Sequence, residues 1–566
     1  MTCQAIEVTL VQNCLHSITE QMAYALLNTA RSLNLSEARD FCTGLYGLQG
    51  EIIEQTEFIP LLAYTMPTSI YNIANFFKDN IYPGDVFIHN DPFTGGNQVS
   101  DVKIAKPIFY HDELVGWAAI NAHQADVGGC IPGGYNPKAT EIWQEALRIT
   151  PIKLYERGIK RKDVWQLIFG NIRYSIVSDD IQSMIGGCTI GEREMIKLID
   201  KYGMTQFEEY LTYLFGSSEH MMRQEIEAIP DGTYHGESYA HDDGIDSNKV
   251  MPVKVSITVL GDEITFDFTG TAAQTPGYVN APYPVTASGV LLTLLMCLQY
   301  PDLPHNQGMV RPIHIKVPEG CMLNPKFPAA TGFGNHLVDQ IAEAIMLALV
   351  PALPERVTAG WNPLLGVLFS GYDTITERPF SHMLINAGKG GSGGTFNADG
   401  YNHIGLIGGG GGVAAQDPEM FELETPVHFV KFEYAPDTGG AGQWRGGLGV
   451  ETMVEFLEDV QLSVFGDGLD TNYLTPGILG GNPGSPNFAK LIYPDGSLYY
   501  PKAKDLINYV PKGSLWHQIA GGGGGFGDPR LRDKIMLMND VNEGYVTSKV
   551  AQTEYGFTAF LKNSKE

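Results

Sequence analysis

Apolar positions recur at helical spacing near the start of the chain: Ile6, Leu10, Cys14, Ile18 and Met22, widened by Leu15, Ala25 and Leu26, predict a helix over 5–33. Met22 on that stripe reads as core or subunit interface, not as a ligand. Between 90 and 129 the pattern changes. Asp91-Pro92 and Gly95-Gly96 break the chain, 102–109 and 114–120 are apolar runs, and His111-Asp112-Glu113 is a polar turn. Together these predict an antiparallel hairpin. Residues 139–225 read as mostly helical, with amphipathic stretches at 162–169 and 192–202. After a Pro230-Asp231-Gly232-Thr233 turn, alternation through Val253, Val255, Ile257 and Val259 predicts an antiparallel sheet with one wet face. Asp242-Asp243-Gly244 reads as a tight hairpin turn, because no EF-hand spacing follows it. A helix is predicted over 280–300, a strand over 310–318 and a buried helix over 334–349. His336 there reads as a satisfied histidine near a helix start in preference to a pocket residue. The rest is rich in strands and loops. The expected fold class is α+β and multidomain: 1–229 an N-terminal α/β domain, 230–430 a central mixed domain, 431–566 a β-rich, Gly-rich C-terminal domain.

Composition narrows the function classes. With 37 basic and 64 acidic residues the formal charge is −27, which disfavours nucleic acid and anionic membranes as partners. The 66 glycines cluster in turns between apolar runs, which indicates tightly turned backbone instead of disorder. Cys3, Cys14, Cys42, Cys130, Cys188, Cys297 and Cys321 show no CxxC spacing and fit a reducing compartment. No signal-peptide pattern opens the chain, and the most apolar run, about 285–297, is too short to span a bilayer. The expected compartment is the cytoplasm.

The hairpin is where chemistry concentrates. Its open ends carry Gln98 and Asp101 on one side and His123 and Asp126 on the other. Carboxylate, imidazole and amide groups meeting beside Gly-rich turns can form a metal or an acid/base site. The glycine runs 388–394 and 408–412 would let backbone approach a ligand closely, and 521–525 reads as a strand-linking turn. None carries a phosphate-binding pattern, and no nucleophile elbow is present. The chain therefore shows no nucleotide site of its own.

Several strings, in order, carry a resemblance: NDPFTGGNQVSD at 90–101, AHQADVGG at 122–129, PGG at 132–134, QEA at 144–146, DFTG at 267–270, DTGGAG at 437–442 with RGG at 445–447, GGGGGFGDP at 521–529 and DV at 540–541. The chain resembles the hydantoinase B subunits, including those of 5-oxoprolinases, caprolactamase, acetone carboxylase and acetophenone carboxylase. The resemblance implies hydantoinase-A-type partner subunits that bind ATP and Mg, with a small zinc-type subunit added in the carboxylase case. Asp40, in a segment similar to the family's SxERRDFS strand, is a site contributor or a turn carboxylate. Asn171-x-Arg173 resembles an N-x-R element of the family, and Arg173 itself reads as satisfying a helix end or a carboxylate.

Departures from the family pattern sharpen the reading. Two histidines of an HIPVH-like string are replaced by Phe58 and Leu62, the His of TH-x-x-D by Gln98, and the second His of AHH by Gln124. The metal ligands of relatives resembling acetone carboxylase correspond here to Gln98, Asp101 and His123. A neutral amide is a weak ligand beside imidazole, so no transition metal is expected in this chain. Phe58, Leu62, Gln98 and Gln124 are the expected substrate pocket. His123 is the expected acid/base group, with Asp101 and Asp126 fixing its tautomer and Asp40 nearby. The resemblance then implies a subunit of an ATP-dependent ketone carboxylase of the acetophenone carboxylase type, acting on a ketone and bicarbonate. The alternatives are the B-type component of an ATP-dependent hydantoinase, 5-oxoprolinase or lactamase, and a non-catalytic structural subunit.

Overall fold

The computed structural model describes residues 2–300 and 303–557, with side chains from residue 6 onward. Its N-terminal part is built on seven strands: β1 (Phe41–Tyr46), β2 (Ile52–Thr56), β3 (Val86–His89), β4 (Asp101–Tyr110), β5 (Glu113–His123), β6 (Ile152–Glu156) and β7 (Ile159–Lys160). Their order across the sheet is β2-β1-β5-β4-β3-β6-β7. The central pair is the expected hairpin, antiparallel, with Asp101 opposite His123. Side chains alternate across a strand, and this decides what each residue meets. Ala118 and Ile120 face the helix Ile176–Tyr202, whose Gly187 and Gly191 let it approach them and Met22 closely. Asn121 faces the other way, donating to the Leu62 carbonyl at 3.2 Å and to Thr65 Oγ1 at 3.4 Å on the helix Pro60–Phe76. Met22 is fully buried in this core, on the helix Thr2–Thr29.

The expectation of a mostly helical 139–225 is corrected at its start. Ile152–Glu156 is a strand paired with β3, and Leu154 is fully buried. A short apolar run does not by itself separate strand from helix. The helices that follow, Lys162–Phe169, Ile176–Tyr202 and Met204–Glu227, agree with the amphipathic pattern. Beyond the 230–233 turn, the strand Val250–Leu260 buries Val253, Val255, Ile257 and Val259 and pairs antiparallel with Glu263–Asp267.

The chain has two compact units, of residues 1–234, 255–337 and 412–414, and of 235–254, 338–411 and 415–566. With its helices and several sheets the protein is α+β and multidomain.

In the second unit the glycine motifs have a structural use. The backbone of 521–525 threads between other glycine-rich segments: Gly523 donates to the Gly447 carbonyl at 3.0 Å, Gly524 to Gly360 at 2.9 Å and Gly525 to Asn482 at 2.9 Å. Gly391, Gly394 and Gly440 donate in turn to Gly521, Gly524 and Gly523. A Cβ at Gly523 would stand 1.9 Å from the Ser392 carbonyl oxygen. The close approach expected at 388–394 is therefore made by backbone to backbone, and 521–525 is a packed central segment in place of a strand-linking turn. Asp540 of the DV motif pairs with Arg532 at 2.6 Å, and Arg532 also holds Asp399 in a two-pronged pair.

Candidate functional site

Asp101 and His123 sit directly opposite each other at the open end of the hairpin, on the face toward helix Pro60–Phe76. His123 Nδ1 lies 2.7 Å from Asp101 Oδ1, with both residues buried. Burial pulls the imidazole down, but the Asp101 hydrogen bond and charge reverse this and raise His123 above its ordinary value. Burial pushes Asp101 up, and the His123 bond and charge, with Lys103 and Asn335, bring it below the usual carboxylate range. An ionised Asp101 only accepts, so His123 Nδ1 is the donor and Nε2 is left for chemistry.

Around this pair stands a polar cage. Gln98 Nε2 is 3.1 Å from His123 Nδ1 and 3.2 Å from the Tyr135 hydroxyl, and its Oε1 is buried without a hydrogen-bond partner. Tyr135 stacks on His123 with ring centroids 6.0 Å apart, and its hydroxyl lies 3.3 Å from His336 Nε2. Asn335 donates to Asp101 Oδ2 at 2.7 Å, and Asn97 donates to the same oxygen. Asn97 in turn accepts from Lys103, a fully buried lysine that burial lowers to about 8.

The remaining expected residues are placed less uniformly. Asp40 precedes β1, its carbonyl accepts the His123 N–H at 3.0 Å, and burial raises its carboxyl to about 6. Asp126 does not turn to His123. Its carboxylate takes Arg173 at 3.1 Å and the Gly128 and Gly133 N–H groups at 3.0 and 3.1 Å, so it fixes the turn, and Asp101 alone sets the imidazole. Gln124 follows His123 and by alternation points to the opposite side, where its amide reaches Met184 Sδ at 3.6 Å. Leu62 is buried in the core, and Phe58 packs edge-on against Phe41 at 5.1 Å, beneath Arg39. Gly129, at φ +90° and with its would-be Cβ 2.1 Å from the Glu145 carbonyl oxygen, admits no side chain. The NDP string also folds the loop: Asp91 caps the 3-10 turn Pro92–Thr94 and holds Arg148 by two bonds of 2.8 Å.

Asn97, Lys103, Tyr135, Asn335 and Glu145 escaped the sequence reading as site residues. A lone lysine inside an apolar strand, or a polar pair inside GFGNH, carries a signal only in retrospect. Glu145 is fully buried, accepts the Gly332 N–H at 2.6 Å, and is pushed by burial up to about 8.

Whether these donors suit a transition-metal ion follows from their chemistry. Among the described residues no group of three His, Cys, Asp or Glu side chains is placed to hold one. Asp101 and His123 are hydrogen-bonded to each other, and the third corner is the neutral Gln98 amide. As a centre of three strong ligands the site does not fit.

Comparison with known proteins follows the same lines. A profile described as hydantoinase B/oxoprolinase matches residues 4–529. The chain belongs to the hydantoinase B/oxoprolinase family. It is 32% identical over 563 residues to the beta subunit of caprolactamase from Pseudomonas jessenii, covering 98% of this chain and 96% of that one. It is 31% identical over 570 residues to the B-type component of a putative D-/L-hydantoinase from a Pseudomonas species, strain NS671, covering 98% and 95%. The crystal structure of the ATP-dependent caprolactamase from Pseudomonas jessenii superposes with a TM-score of 0.91 at 31% identity, over 98% of this chain and 96% of that chain. Nucleotide-free acetone carboxylase shares the fold, with a TM-score of 0.90 at 20% identity, over 98% of this chain and 80% of that chain. Among the described residues no helix is long and apolar enough to cross a membrane.

Proposed function

We propose that this chain is the B-type subunit of an ATP-dependent, multi-subunit enzyme, and that the reaction is carboxylation of a ketone of the acetophenone carboxylase type. One observation carries the finer reading: the Gln98 amide, in place of a strong ligand, beside the Asp101–His123 pair. A metal ion would supply a hydroxide nucleophile at neutral pH, which suits amide hydrolysis. An imidazole whose Nδ1 is held by Asp101 suits proton transfer at carbon or oxygen. In this reading A-type partners bind Mg-ATP and activate the ketone and bicarbonate by phosphorylation, with a small zinc-type subunit in the complex. His123 Nε2 then receives or returns the proton as the enol-like carbon meets its CO2 equivalent. Asp101, held by Asn97 and Asn335, keeps the tautomer, and Tyr135 supports the ring face. No transition metal on Gln98, Asp101 and His123 takes part.

A second reading, ATP-dependent hydrolysis of a cyclic amide, is favoured by the full-length identity to the caprolactamase and hydantoinase chains. The assembled complex separates the two. Incubated with ATP, it should incorporate labelled bicarbonate into an aryl or alkyl ketone and leave caprolactam, hydantoin and 5-oxoproline intact. Hydrolysis of those rings without ketone carboxylation would establish the second reading instead.

A further inference from the structure

The helix Val338–Leu349 is apolar and buried along most of its length, yet it carries Asp339 and Glu343 at i and i+4. That spacing puts two carboxyl groups side by side on one helical face, where ionising both is unfavourable without compensation. The face opens on a cavity of about 280 Å³ within the second unit, lined also by Gln340, His241, Asp467 and Trp361. Among the described residues no Lys or Arg lines it. The nearest positive charge, Lys504, lies behind, 3.8 Å from Asp467 Oδ2, and donates to the His241 carbonyl. Glu237, at the rim, reaches Lys254 at 3.4 Å.

Three acceptors in this wall lack partners, Asp339 Oδ1 among them. Gln340 is 6% exposed and its Oε1 has no hydrogen bond. His241 Nδ1 lies 3.3 Å from Asp467 Oδ1, and Asp467 is held below the usual carboxylate range despite burial by Lys504 and His241. Nδ1 therefore carries the proton, and Nε2, also without a partner, presents a lone pair. Buried acceptors left unmatched are costly. Burial, with the charge of Asp467, pushes Asp339 up to about 7, and burial with the charges of Asp339 and Asp467 pushes Glu343 up to about 8. The wall thus offers acidic groups and unmatched acceptors with no cationic side chain among the described residues, although the Tyr239, Tyr473 and Thr475 hydroxyls and the Asn472 amide also line it. It also offers aromatic faces: Tyr473, 4.4 Å from the His241 ring, and Trp361, whose indole N–H is turned to Thr358 at 3.2 Å.

We propose that this cavity is a binding site for a small organic cation, a primary ammonium group on a short apolar stem. Its N–H donors meet Gln340, His241 and the two carboxyl groups, and its charge favours their ionised form. The stem lies against the aromatic faces, as such cations favour. A bare metal ion is the poorer occupant, since no trio of charged or imidazole ligands in the described residues could hold one. The site is separate from the Asp101–His123 group and independent of which reaction that group performs.

The test uses the full chain, titrated with n-butylammonium chloride, n-butanol and magnesium chloride, and followed by calorimetry and tryptophan emission. Butylammonium should saturate at roughly millimolar concentration or below, while butanol and magnesium neither saturate nor displace it. Glu343→Gln should weaken binding about tenfold or more. Trp361→Phe should remove the emission change and also weaken the binding seen by calorimetry, since indole is the stronger cation face. If Glu343→Gln does not fold, Gln340→Leu is the second variant, and it too must weaken binding. Absence of saturation, displacement by magnesium, or unchanged affinity in the folded variants overturns the assignment.

Discussion

At the scale of single residues, His123 is held from one side and open on the other. Asp101 fixes Nδ1 at 2.7 Å, and two asparagines keep Asp101 in place. His123→Ala should therefore lower turnover of the assembled enzyme by roughly 10²- to 10⁴-fold and leave assembly intact, measured by steady-state rates and by size-exclusion chromatography. A loss under about threefold would make His123 structural. Gln98→His should raise the metal content of the purified complex without improving carboxylation. The pair itself was legible, because hairpin register brings positions 101 and 123 together. Asp126 and Gln124 were misplaced, because beyond a strand's last residue an alternation of one step changes the side. Glu145 gives a pH test. Its carboxyl stays protonated up to about 8 in the folded protein but ionises near its ordinary 4.5 when unfolded. The unfolded state then binds fewer protons between those values, so this stability is full below 4.5 and is lost as pH rises through about 8. In melting curves from about pH 5 to about pH 9, wild type should fall relative to Glu145→Gln as pH rises. A constant difference, or one of opposite slope, refutes this account.

At the scale of elements, periodicity identified the hairpin and the long helices because one face of each is buried and the other is not. It could not identify the glycine segments, which have no side-chain pattern at all. Their logic lies in partners far apart in sequence: Gly391, Gly447 and Gly523 meet only in the folded chain. Identical substitutions should therefore have opposite signs at two glycines. Gly523→Ala drives a methyl group to 1.9 Å from the Ser392 carbonyl oxygen and should cost roughly 3 kcal/mol or more. Gly216→Ala, exposed in the helix Met204–Glu227 and with nothing within 4 Å of the new carbon, should stabilise by about 0.5–1 kcal/mol. Chemical denaturation of both variants checks the pair. Equal effects would mean that the glycine packing is looser than its geometry.

At the scale of the whole molecule, what remains is where the energy of ATP enters. Nucleotide phosphates are commonly cradled by free backbone N–H groups in a glycine-rich loop leading into a helix. The richest glycine loop of this chain has most of these groups already engaged. The N–H groups of Gly523, Gly524 and Gly525 are spent on backbone carbonyls, and the segment runs on to Phe526 without opening a helix. The runs at 388–394 and 439–449 are tied into the same packing. An acidic chain of charge −27 adds a general repulsion toward a polyanion. The isolated chain should therefore neither bind nor hydrolyse Mg-ATP appreciably, and ATP turnover should appear only when A-type partner subunits are added back. Calorimetric titration of the purified chain, followed by reconstitution, measures both halves. Affinity of roughly micromolar strength in the chain alone would place a nucleotide site here and remove the division of labour on which the proposed carboxylation depends.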